Sequence, residues 1–78
     1  MQVQVGKRYI HYKNKKTYTV IAIGYYTEAD PLFECVVYQA LYDDVALGEK
    51  PIFIRPKTMF EEQVEQDGVT VDRFQSVD

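Results

Sequence analysis

Few residues in this chain could do chemistry. His11 is its only histidine and Cys35 its only cysteine. As a general base, His11 needs a partner acid and a cleft. Its neighbours Ile10 and Tyr12 supply neither, so a surface or strand-packing histidine is expected. Cys35 sits in the most apolar run of the chain, beside Glu34. A reactive thiolate needs an exposed, electropositive setting, so Cys35 is expected to serve as a small buried hydrophobe. No Cys/His cluster has metal-ligand spacing, and there is neither a glycine-rich phosphate loop nor a nucleophile elbow. No catalytic residue, metal or cofactor is assigned.

Arg55 and Arg73 carry a sharper signal, because each is flanked by a ring or a proline: Phe53 and Pro56, and Phe74. A guanidinium held this way can fork onto a carboxylate or phosphate. A ligand site would then draw on Glu28, Arg55, Arg73 and Tyr38. The plainer alternative is an Arg–Glu pair that pins a loop to the fold, and most such pairs are structural. The seven tyrosines (9, 12, 18, 25, 26, 38 and 42) outnumber what so small an interior can hold. Such rings can anchor a protein partner or stack on bases, although strands also favour tyrosine for its own sake. Lys7, Arg8, Lys13, Lys15 and Lys16 give the first sixteen residues a charge of +5, against −8 for the rest. The lysines and neighbouring tyrosines permit a nucleic-acid surface, but a net charge of −3 argues against general phosphate binding.

The elements that must position these groups are short. With 78 residues, 46% of them hydrophobic, the chain suits one domain, residues 1–78 with a core from about 6 to 74. The start, MQVQVGKRYIHY, has no apolar core of signal-peptide length, and no run approaches a membrane span. A lone cysteine excludes an internal disulfide, so a reducing, cytoplasmic setting is expected.

Val5–Tyr12 and Thr17–Ile23 are predicted strands joined by a turn at 13–16, with Asn14 taking the positive φ. Gly24 is expected to bend or end the second strand. In that strand, Tyr18, Val20 and Ala22 alternate with Thr19, Ile21 and Ile23. Residues 28–32 form a loop, and Phe33–Tyr42, apolar on both faces, is a central strand. After a polar connection at 43–51, Ile52–Arg55 is a fourth strand. Thr58 and Glu61 fit a capping box, predicting a helical turn over about 56–62, with Phe60 and Val64 on one face. Asp67-Gly68 either turns a last hairpin between Val64 and Val71 or ends a longer helix; the pattern leaves both open. About five strands and one helical turn point to a small mainly β barrel or roll.

The order of these pieces resembles a family of short bacterial domains catalogued as domain of unknown function family 1653. The resemblance runs from Gly6-Lys7-Arg8-Tyr9-Ile10-His11-Tyr12-Lys13 through Tyr18-Thr19-Val20 and Thr27-Glu28. It continues with Val36-Val37-Tyr38-Gln39-Ala40-Leu41-Tyr42, Ile54-Arg55-Pro56, Met59-Phe60, Val64, Asp67-Gly68 and Arg73-Phe74. It implies an SH3-like barrel and no function. Where the family pattern has His-Ser-Glu-Thr, this chain has Tyr26-Thr27-Glu28-Ala29, and Phe53 replaces a usual Trp. The Asp30-Pro31 loop is also longer than the pattern. Ala40-Leu41-Tyr42-Asp43 resembles a segment that opens true SH3 domains, but it lies mid-chain without tryptophan, so proline-peptide binding is discounted.

These readings lead to a non-catalytic binding module for a protein or peptide partner. RNA or single-stranded DNA binding by the basic hairpin is the first alternative. A small-molecule or enzymatic site around Glu28, Arg55 and Arg73 is the second. The oligomeric state stays open.

Overall fold

The computed structural model describes residues 1–77. Among these residues, seven strands and one helix follow in the order β1 (Arg8–His11), β2 (Thr17–Tyr26), β3 (Phe33–Ala40), β4 (Ile52–Pro56), α1 (Lys57–Glu61), β5 (Gln63–Gln66), β6 (Val69–Asp72) and β7 (Phe74–Ser76). Five strands form one antiparallel sheet in the order β4-β3-β2-β1-β7, and β5 and β6 form a separate ribbon. The domain is thus mainly β, as expected. Its extra strands are the ribbon's second arm and β7, which is too short to carry an alternating pattern.

The β1–β2 hairpin pairs Tyr9 with Tyr18. Its turn differs from expectation: Lys15, at φ 60°, takes the left-handed conformation, not Asn14. Asn14 instead acts through its side chain. Its Oδ1 accepts from the Lys16 amide at 2.8 Å, and its Nδ2 donates to the Tyr18 hydroxyl at 3.0 Å. These bonds hold the turn without requiring Asn14 itself to be strained.

Strand β2 runs past Gly24, which pairs with Cys35 as an ordinary strand residue. The irregularity comes earlier, where Val20 pairs with Tyr38 and Ala22 with Val37, leaving Ile21 as an extra residue. A bulge shifts the facing of all residues beyond it. Tyr18 and Val20 point into the core before it, and Ile23, not Ala22, packs against the core after it. In β3 the alternation is regular: Val36, Tyr38 and Ala40 are core residues, while Cys35 is buried outside that cluster.

At Pro56 the chain passes from β4 directly into α1. No side chain caps the helix, so the expected capping box does not form. Thr58 lies inside the helix, two residues past the cap position at Pro56. Glu61 looks elsewhere: its carboxylate accepts from the Val3 amide at 2.8 Å and pairs with Lys57 at 3.3 Å. The helix ends at Glu61, so Phe60 alone faces the core from it, and Val64 belongs to the ribbon opposite Val71. Asp67 (φ 53°) and Gly68 (φ 79°) make the two-residue turn between β5 and β6. Positive φ at both positions is what a tightly twisted hairpin demands. The segment is therefore a hairpin, not a longer helix.

The core is largely aromatic. Phe60 and Phe74 stack with centroids 4.0 Å apart, while Tyr9 and Tyr38 meet Phe60 edge-on. Three of the seven tyrosines, Tyr9, Tyr18 and Tyr38, are buried. Each hydroxyl finds a partner, Tyr9 accepting from the Gln4 amide at 2.9 Å, as burial of a polar tip requires. Tyr25 and Tyr26 are exposed. Among the described residues, no helix is long and apolar enough to cross a membrane.

Candidate functional site

The two edges of the main sheet, β4 and β7, are not joined by a ladder. They meet through side chains. The Arg55 guanidinium from β4 lies over the Phe74 ring from β7, 5.4 Å from its centroid. Around this contact is an open hollow of about 290 Å³. Tyr18, Tyr38 and Phe74 supply its inner rings, Phe53 and Tyr42 its outer ones, and His11 and Asn14 complete the lining beside Arg55. All five strands of the sheet, the β1–β2 turn and the β3–β4 connection contribute, so only the folded sheet can assemble it.

Alternation along β4 turns Phe53 and Arg55 inward while Ile52 and Ile54 stay exposed. Phe53 lies 5.7 Å from Tyr38 and 6.2 Å from Tyr18, centroid to centroid. Arg55 is held twice, by Phe74 beneath it and by its Nε donating to the Tyr38 hydroxyl at 3.3 Å. Its terminal nitrogens have no carboxylate partner among the described residues, and no acidic side chain lines the hollow.

The rest of the lining is polar but unsuited to proton transfer. The hydroxyls of Tyr18 and Tyr42 are hydrogen-bonded at 3.0 Å. This bond, with burial and the nearby Asp44, pushes the Tyr42 hydroxyl up to about 12, so it stays protonated. Lys16 sits over the Tyr42 ring at 4.2 Å. Burial, then Arg55, Arg73 and Lys13, lower the pKa of His11, which favours its neutral form. Its Nδ1 accepts from the Lys13 amide at 3.1 Å, so Nε2 carries the proton. The histidine does have a cleft, but no acid beside it.

The other expected site residues are dispersed. Tyr38 and Arg55 meet. Glu28 lies in the β2–β3 loop, at the opposite end of β2 from Tyr18, and lines no part of the hollow. Arg73 pairs with Glu62 rather than Glu28, and its amide donates to the Glu62 carbonyl at 3.1 Å. It thus ties the ribbon to the sheet. Lys13, Lys15 and Lys16 cluster at the hairpin turn, whereas Lys7 and Arg8 lie at the other end of β1. Lys7 lines a second hollow with Tyr9, Gln4 and Asp72. The exposed Tyr25 and Tyr26 end a ten-residue strand whose first residue follows the turn, so about 30 Å of strand separates them from its lysines. Among the described residues, no group of three or more His, Cys, Asp or Glu could hold a metal ion.

Reasoning from sequence alone names Tyr18 and Tyr42 only among the seven tyrosines that could form a binding surface, and leaves out Asn14 and Phe74 as lining residues.

Fold and site together define a small mainly β domain with an aromatic-walled, arginine-headed hollow. The chain belongs to the family described as protein of unknown function (DUF1653), whose profile matches residues 7–76. Comparison with curated proteins and with solved structures finds no match to either.

Proposed function

We propose that this domain is a non-catalytic binding module of the cytoplasm that takes a segment of a protein or peptide partner in the hollow between β4 and β7. The observation that carries this reading is the lining itself: rings from four strands and one loop, preassembled around a pinned arginine. Such a wall offers apolar burial and fixed polar anchors, the usual composition of a recognition pocket. It offers no nucleophile or paired acid and base. A volume of about 290 Å³ suits one or two side chains, just under the roughly 300–1,000 Å³ of small-molecule sites. The lone Cys35, buried and unpaired, is consistent with a reducing compartment.

The nucleic-acid reading has less support, because stacking platforms place exposed rings along a basic track. Here the exposed Tyr25 and Tyr26 lie far from Lys13, Lys15 and Lys16, and Lys16 covers the face of Tyr42.

Selection of short random peptides against the domain tests the proposal. Enriched peptides are expected to lose binding to Phe53→Ala and to retain it with Tyr25→Ala. Peptides that bind both variants equally refute the hollow as the site. No enriched peptide, with RNA binding that falls steeply with salt, would move the function to the basic hairpin.

A further inference from the structure

We infer that the hollow reads an oxyanion, a carboxylate or phosphate group joined to a planar apolar group, with Arg55 as the anion-binding fork. This deepens the proposed binding role and rests on the hollow being the site.

The molecule contains its own control. Arg73 and Lys57 are cations with matched carboxylates, Glu62 and Glu61. Arg55 is also half-buried and pinned, yet no carboxylate among the described residues reaches it. Its fixed contacts, Tyr38 at Nε and Phe74 beneath the plane, restrain the guanidinium while leaving its terminal nitrogens available. A pre-organised fork loses little freedom when it binds a planar anion. Eleven acidic residues precede Asp78, and a purely structural arginine in an acidic protein would be expected to find one of the nine other than Glu61 and Glu62.

The surroundings favour the same ligand. Asp44, whose charge is felt at Tyr42, is engaged in its own loop, its Oδ1 accepting from the amides of Ala46 and Leu47 at 2.8 and 3.0 Å. Lys16 at the rim adds positive potential, and the protonated Tyr42 keeps the wall uncharged. Low-dielectric ring walls strengthen a charge pair relative to water. Phe53, half-exposed beside Arg55, offers a face to a planar substituent.

Titration of the labelled domain with benzoate, phenyl phosphate and benzamide, followed by amide and side-chain NMR, tests the inference. Benzamide has the ring and shape of benzoate without its charge. One of the two anions is expected to bind at least about tenfold more tightly than benzamide, which is about 1.4 kcal/mol. Which anion wins separates a carboxylate from a phosphate reader. Arg55→Gln should abolish that preference while the spectrum stays dispersed, and Arg55→Lys, which keeps charge without the fork, should restore only part of it. Should Arg55→Gln fail to fold, Phe53→Ala serves, weakening all three ligands together. Equal binding of benzoate, phenyl phosphate and benzamide overturns the inference but leaves the hollow as a site. An anion preference that survives in Arg55→Gln overturns it too, as does saturable binding of none. The peptide selection then decides separately whether the hollow binds a partner.

Discussion

Replacing Phe74 with alanine should nearly unfold this domain, although the residue lies only a few positions from the end of the matched region. Phe74 is 1% exposed. It stacks on Phe60 at 4.0 Å and meets His11, Tyr18 and Tyr38 edge-on at 4.9, 5.9 and 5.5 Å. Truncating a buried phenylalanine costs about 3–5 kcal/mol through lost transfer energy and the cavity left behind. For a domain of 78 residues, total stability is expected to be about 4–12 kcal/mol. The substitution thus removes about a quarter of it at the least and all of it at the most. Urea titration followed by far-ultraviolet circular dichroism reads the change, and thermal melting should shift down by at least about 12 °C. Phe33→Ala is the matched control, since Phe33 is 40% exposed and stacks only on Tyr26 at the far end of the β2–β3 hairpin. It should cost about 1 kcal/mol or less. A loss below about 1.5 kcal/mol for Phe74→Ala, or equal losses for both variants, would refute the view that the rings around Phe74 carry the fold.

Asn14→Ala removes the bonds to Lys16 and Tyr18 and should cost about 1–2 kcal/mol, read by thermal melting; no change would show that the turn holds itself. Glu62→Ala strands Arg73, whose side chain is only 18% exposed and whose Nε has no partner. It should destabilise by about 1–3 kcal/mol and first raise hydrogen exchange in the ribbon; unchanged exchange there would sink the idea that this pair ties ribbon to sheet. His11 has its pKa lowered by burial, then by Arg55, Arg73 and Lys13, so the unfolded chain takes up the proton more readily. Below its ordinary value of 6.5, stability should fall with falling pH until the folded-state value is passed. The gap between the wild type and His11→Gln should therefore move against the wild type from about pH 8 to about pH 5. Parallel curves would show that His11 does not titrate differently on folding.

How much of this was legible depended on whether a signal was local. The strand of 33–40 announced itself because apolar residues fill both of its faces, and Asp67-Gly68 named its turn through two residues tolerant of positive φ. The strand-to-helix step at Pro56 misled. Thr58 and Glu61 have cap spacing, but the helix starts at Lys57 and Glu61 is drawn to Val3, a partner far away in sequence. The bulge at Ile21 leaves no trace in an unbroken run of β-formers, so simple alternation sets Ile23 on the face opposite Val20, whereas it packs against the same core. The hollow shows the same divide. Arg55 stood out beside Phe53 and Pro56, whereas Tyr18, Tyr42 and Phe74 join it only through curvature that brings β4 towards β7. Nothing in the sequence around Glu28 says whether it meets the arginines, and the chain puts it at the other end of a long hairpin.

The ladder between β1 and β7 also dictates an order of events. Tyr9 pairs with Ser76 and His11 with Phe74, across almost the whole chain, whereas β2 pairs with β3 and β3 with β4, each the next strand in sequence. Closing a long loop has to precede any gain from the contacts it makes, so distant pairings form slowly. The three-strand meander is therefore the natural nucleus, and the ring stack around Phe74 condenses on it last. Until that moment Tyr18, Tyr38 and Phe60 lack their shared neighbour, and the nascent sheet presents an uncovered aromatic face. For this chain, the interval before its final strand docks is the one in which it is most open to association with other molecules.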